Sequence, residues 1–115
     1  MNDLELIAAK FVDQEVPKGK EYLMLYFDQP MQRTFISYYF CFPAFALQST
    51  AFFHRMLSEH TGMYCSLRIV QTWLKRVRDM ETVVKRATAS CDLSLLHRIK
   101  SGHMPWTKIR KIINA

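Results

Sequence analysis

METVVKRATASCDLSLLHRIKSGHMPWTKIRKIIN, running from Met80 to Asn114, holds three short helical patterns in succession, parted by turn signals and dense in Lys and Arg. The middle pattern, Asp92 to Ser101, opens on Asp92 as N-cap and closes at Gly102, the residue best able to turn left-handed beyond a helix end. Leu95, Leu96 and Ile99 share one face of it, and Ser94, His97, Arg98 and Ser101 the other. Pro105 stands where the first turn of a following helix wants it. That helix turns Trp106, Ile109, Ile112 and Ile113 towards a core and Lys108, Arg110 and Lys111 outward.

The run Leu95-Leu96-His97-Arg98-Ile99-Lys100-Ser101-Gly102, followed by Pro105 and the Ile109/Ile112 pair, resembles the C-terminal part of the Cro/repressor-type helix-turn-helix of phage and plasmid regulators. In that family it is the recognition helix, its terminal glycine and the next packing helix. The resemblance covers residues 80–114 and makes Met80 to Thr88 the preceding helix, with Val83, Val84 and Ala87 inward. With a turn of usual length, the family's small first-helix residue and its turn glycine fall on Arg86 and Ser90. Burying Val83, Val84 and Ala87 together instead asks for a turn about two residues longer.

Composition bounds the rest. The 115 residues suit a single domain, 1–115, with an aromatic-rich core and dimerisation half over 1–62 and a basic half over 63–115. Half of the residues are apolar, which argues against disorder over the bulk of the chain. Charge is uneven: residues 1–57 carry five Lys/Arg against six Asp/Glu, net −1, and residues 58–115 carry eleven against four, net +7, which together give +6. Such asymmetry directs one end at a polyanion through general electrostatics. The plain alternative is a solvated basic face without a ligand. Cys41, Cys65 and Cys91 form an odd, widely spaced set, which points to reduced thiols in a cytoplasmic setting. The acidic start Met-Asn-Asp-Leu-Glu lacks the basic n-region of a signal peptide.

Towards the N-terminus, residues 3–15 read as an amphipathic helix with Leu4, Ile7, Ala8, Phe11 and Val12 on one side, ended by Pro17 and Gly19. YLMLYF (Tyr22 to Phe27) and TFISYYFCF (Thr34 to Phe42) follow, parted by Asp28-Gln29-Pro30. The β-branched and aromatic content of the second run favours a strand, and pairing the two predicts an N-terminal β-hairpin. Two short helices are the alternative over 22–42, because periodicity does not separate a buried strand from a buried helix. Residues 34–53 contain no charge over twenty positions, long enough to cross a bilayer. Ser37, Pro43, Gln48, Ser49 and Thr50 interrupt that run, so two core elements broken at Pro43 explain it better and a span over 34–53 is the lesser reading. A helix from Pro43 to about His60 buries Phe45, Leu47, Phe52, Met56 and Leu57 and stops at Gly62. Ser66 caps the next helix, whose stripe is Leu67, Val70, Trp73, Leu74 and Val77. Asp79 either begins a further helix or lies inside one long rod.

Little else carries chemistry. His54, His60 and Cys65 lack metal-ligand spacing, and Cys91, His97 or His103 would have to join them by tertiary accident, so no metal is expected. Three glycines leave no phosphate loop or dinucleotide fingerprint, and no acid/base set is arranged; neither enzyme nor cofactor is expected. The aromatics from Tyr22 to Phe45 have only Arg33 nearby, which favours a core or a protein interface over base stacking.

The expectation is therefore a mainly α, small helical domain with a C-terminal helix-turn-helix and an N-terminal β-hairpin. It would bind double-stranded DNA as a homodimer, in the manner of a phage or plasmid transcriptional repressor. Ser94, His97, Arg98 and Ser101 would meet base edges, with Arg98 best suited to a guanine. Lys85, Arg86, Lys100, Lys108, Arg110 and Lys111 would hold phosphates. The aromatic half would supply the dimer contact or a second protein partner. The alternative is an interaction or inhibitor module of a mobile element, its basic face on an acidic protein.

Overall fold

Helices supply every regular element among the described residues, which are 19–41, 49–62 and 64–114 in a computed structural model of the chain. Two compact units divide it, residues 1–71 and 72–115. Their charges differ as sharply as the sequence halves: six Lys/Arg against seven Asp/Glu (−1) in the first, ten against three (+7) in the second.

The first unit holds a 3-10 turn, Glu21–Leu25, then helix α1, Pro30–Cys41, and helix α2, Thr50–Thr61. The β-hairpin expected over 22–42 is overturned, since neither of its arms is a strand. Asp28-Gln29-Pro30, expected to be a break between strands, is in fact a helix start. Pro30 is the first residue of α1, and the Gln32 side chain reaches back to accept the Gln29 N–H at 3.1 Å, half of a capping box. Five consecutive residues of α1, Phe35 to Tyr39, are buried, so no polar stripe was there to announce a helix. Buried Ser37 satisfies its hydroxyl by donating to the Arg33 carbonyl at 3.0 Å. Phe42 and Pro43 to Gln48 lie outside the described residues, as does the expected helix over 3–15.

Helix α2 starts later than the sequence suggested. Ser49, extended at φ −71° and ψ 160°, accepts the Phe52 N–H and caps the helix at Thr50, which rules out one unbroken helix from Pro43 to His60. Gly62 ends it in the left-handed conformation expected there, at φ 65°. The Phe35 and Phe53 rings meet edge to face at 5.5 Å, fastening α1 to α2, and Tyr39 lies tilted against both. Tyr22, Leu23, Phe27, Ile36, Tyr38, Met56 and Leu57 are buried as well. The rings buried here form a core within one chain, the first of the two readings given for this stretch, while Phe42 and Phe45 lie outside the described residues. Burial raises both the Tyr38 phenol and the Cys65 thiol above their ordinary pKa values. Among the described residues no helix is long and apolar enough to cross a membrane, and the break at Ser49 interrupts the stretch 34–53.

Helix α3, Leu67–Ala89, is the long rod: Asp79 lies inside it, and the unit boundary after Gln71 falls in its first turns. Ser66 caps it as expected, its Oγ accepting the Ile69 N–H at 3.2 Å. Val83 and Ala87 are buried and Val84 half-buried, with only Ser90, Cys91 and Asp92 linking to helix α4, Leu93–Lys100; Arg86 and Ser90, where the family's small residue and glycine would fall, are both exposed. Helix α5, Trp106–Asn114, completes the second unit.

The α3 end of the α3–α4 link is closed by two backbone bonds. Asp92 N–H donates to the Ala87 carbonyl at 2.9 Å and Cys91 N–H to that of Thr88 at 3.2 Å. This pattern puts Cys91 at φ 55°, the single left-handed non-glycine among the described residues. An L-residue there costs roughly 1–2 kcal/mol, whereas glycine loses about 0.5–1 kcal/mol of extra chain entropy on folding. Because Cys91 is exposed and its side chain fills no core, Cys91→Gly is expected to stabilise the fold by about 0.5–1 kcal/mol. Urea unfolding at constant m-value checks this, and a lower midpoint would mean that the thiol makes a contact of its own.

Candidate nucleic-acid interface

Helix α4 owes its position to local chemistry at both ends. Asp92 Oδ1 accepts the Leu95 N–H at 3.1 Å. At the other end Gly102, at φ 79°, lets its N–H reach the Ile99 carbonyl at 3.1 Å and the His103 N–H reach that of Arg98 at 3.2 Å. Ile99 is fully buried, and Leu95 and Leu96 are half-buried beside it. With one residue every ~100° around a helix, the face away from Ile99 is centred on Ser94, His97 and Ser101. Arg98 flanks it on one side, Leu93 and Lys100 on the other. Ser94, His97, Arg98 and Lys100 are exposed. Ser101 is half-buried at the helix end, and its hydroxyl donates to the Arg98 carbonyl at 3.1 Å.

The cations assigned to phosphates lie, apart from Lys100, on α3 and α5, which share the second unit with α4. Lys85 and Arg86 are exposed in the last turns of α3, and Lys108, Arg110 and Lys111 are exposed on α5, where Ile109 is buried. Arg86 also makes a tertiary contact, in which its Nη1 donates to the Ile113 carbonyl at 3.3 Å and ties the end of α3 to the end of α5. Arg76 lies 5.2 Å over the Trp106 ring, so the start of α5 sits beside the middle of α3 and the two run in the same sense. Within the unit, then, α3 and α5 lie side by side.

Three features escaped the sequence reading. Leu93 opens α4 with 75% of its surface exposed; no periodicity argument flags one apolar residue at a helix start. Arg76 and Lys75 join Trp106 and Arg110 along a cleft between α3 and α5, a meeting of residues thirty positions apart in sequence. His54 and Cys65 do come together, but through the backbone: His54 Nε2 donates to the Cys65 carbonyl at 2.6 Å. Among the described residues no three His, Cys, Asp or Glu side chains gather where a metal ion could sit.

Exposed Lys and Arg on three helices make the second unit electropositive. Its cations are long, solvated side chains on three helices, suited to spaced charges. Helix α4 of the same unit presents hydroxyl, imidazole and guanidinium groups, donors and acceptors of several kinds. No family model, curated protein or solved structure matches the chain.

Proposed function

We propose that residues 72–115 bind double-stranded DNA, with α4 entering the major groove as the recognition helix of a helix-turn-helix. The protein would be a small sequence-specific transcriptional regulator acting in the cytoplasm. The observation that carries the reading is the pairing of a buried Ile99 with exposed Ser94, His97 and Arg98 on one firmly capped helix, inside a unit of net charge +7. The link Ser90–Asp92 supports it, being within the about three or four residues usual for such motifs. Arg98 offers a planar fork for a guanine, and Leu93 an apolar group for a thymine methyl. A homodimer is the expected bound form, because one half-site rarely gives useful specificity. Tyr22, Phe27, Phe35, Tyr38, Tyr39 and Phe53 are buried within the chain, so a surface other than these rings would join the copies.

Selection of bound duplexes from a randomised pool tests this: an enriched consensus is expected, and recovery of an unenriched pool would reject sequence reading. Lys111, exposed on α5, serves as the positioning control. Lys111→Ala should weaken all duplexes alike and reduce the salt slope by about one. The exposed Leu93 also favours a second reading, docking of this face on an acidic protein partner. That reading would take over if Lys111→Ala left DNA binding unchanged while a protein partner was lost.

A further inference from the structure

Between α3 and α5 the basic unit encloses a cleft of about 280 Å³, bordered by Lys75, Arg76 and Asp79 from one helix and Trp106, Thr107 and Arg110 from the other. We infer that this cleft is a phosphate-binding site. Three cations face one carboxylate there, so the cleft carries a surplus of two positive charges, drawn from both helices rather than from one basic stripe. Arg76 and Asp79 are half-buried while Lys75 and Arg110 are exposed, so the surplus is partly screened by water but still favours an anion.

The geometry selects the kind of anion. The Arg76 guanidinium carbon lies 5.2 Å from the centre of the Trp106 ring, a cation–π contact that restrains this side chain at the cleft. A steadied fork beside an ammonium and a hydroxyl suits a tetrahedral oxyanion, whose several oxygens accept from different directions at once. The Thr107 hydroxyl and the start of α5, the positive end of its dipole, add to the same preference. Drug-sized ligands occupy roughly 300–1,000 Å³. At about 280 Å³ the cleft is near the small end of that range and has room for a phosphate group together with what it is attached to. That phosphate belongs either to a duplex backbone held by the basic unit or to a free phosphorylated small molecule. The first source rests on the DNA reading; the second does not.

The two sources separate in one titration of the full chain. The probe is the indole N–H resonance of Trp106, assigned by its loss in Trp106→Phe. Inorganic phosphate should shift it saturably where sodium chloride of equal ionic strength does not. Arg110→Gln should weaken that binding several-fold, and Asp79→Asn, removing the one carboxylate, should tighten it several-fold. If a duplex shifts the same resonance and Arg110→Gln weakens the duplex too, the cleft holds a backbone phosphate. If phosphate shifts it and a bound duplex does not, the cleft serves a free phosphorylated molecule. Phosphate binding with no duplex binding at all would keep the cleft and reject the DNA reading. Duplex binding with Trp106 unmoved by duplex and phosphate alike would reject the cleft alone. Asp79→Asn weakening the phosphate would also overturn the assignment.

Discussion

Arg98→Ala is expected to lower affinity for the preferred duplex by about 1–3 kcal/mol, roughly 5- to 150-fold, and to flatten discrimination at one base pair. Truncation should leave the helix itself intact. The Arg98 backbone carbonyl receives the Ser101 hydroxyl and the His103 N–H, and neither bond involves the side chain that is removed. Alanine is also at least as good a helix former as arginine. The loss should therefore appear against unchanged thermal stability, measured by titrating the selected site and its single-base variants. Uniform weakening on every duplex would make Arg98 one more phosphate clamp and would leave α4 without a reading role.

The neighbouring residue should behave in the opposite way. Ile99→Ala removes a fully buried side chain from the core side of α4. Large-to-small changes of this kind cost about 2–5 kcal/mol, the lost transfer energy plus that of the cavity left behind. A unit of this size has little stability to spare. Residues 72–115 should open well before the wild type on heating, and DNA binding should fall through loss of folded protein rather than loss of a contact. Cooling or a stabilising osmolyte should restore binding to Ile99→Ala but not to Arg98→Ala. If Ile99→Ala folded as stably as the wild type, the packing assigned to this face of α4 would be incorrect.

Local chemistry was the legible part of this chain. Asp92, Gly102, Gly62 and Ser66 act within a few residues of themselves, and each caps or ends its helix as the sequence suggests. Cys91 did not stand out, because the left-handed position in the α3–α4 link holds a cysteine where a glycine would have signalled it. The run Thr34 to Phe42 misled for a physical reason: a helix buried over Phe35 to Tyr39 has no polar face, and its aromatic and β-branched residues are those a strand prefers. Whether Phe35 and Tyr39 meet a second chain or Phe53 of their own is a tertiary fact that composition does not contain. The same holds for Arg76 and Trp106. Of the expected interface, helix α4 and the exposure of Ser94, His97 and Arg98 are legible in the sequence, while the half-burial of Ser101, the Arg86–Ile113 tie and the α3–α5 cleft need the fold.

If the basic unit holds a nucleic-acid backbone, duplex binding must depend steeply on salt. Six cations were assigned to phosphates, Lys85, Arg86, Lys100, Lys108, Arg110 and Lys111, and all are exposed. Neutralising six phosphates releases counterions with a slope of log affinity against log salt near −5, so raising salt from about 50 to about 200 mM should weaken binding roughly a thousandfold. Titrating a labelled duplex with the full chain at those salt concentrations should return that slope. Absence of binding even at the lowest salt would contradict the account.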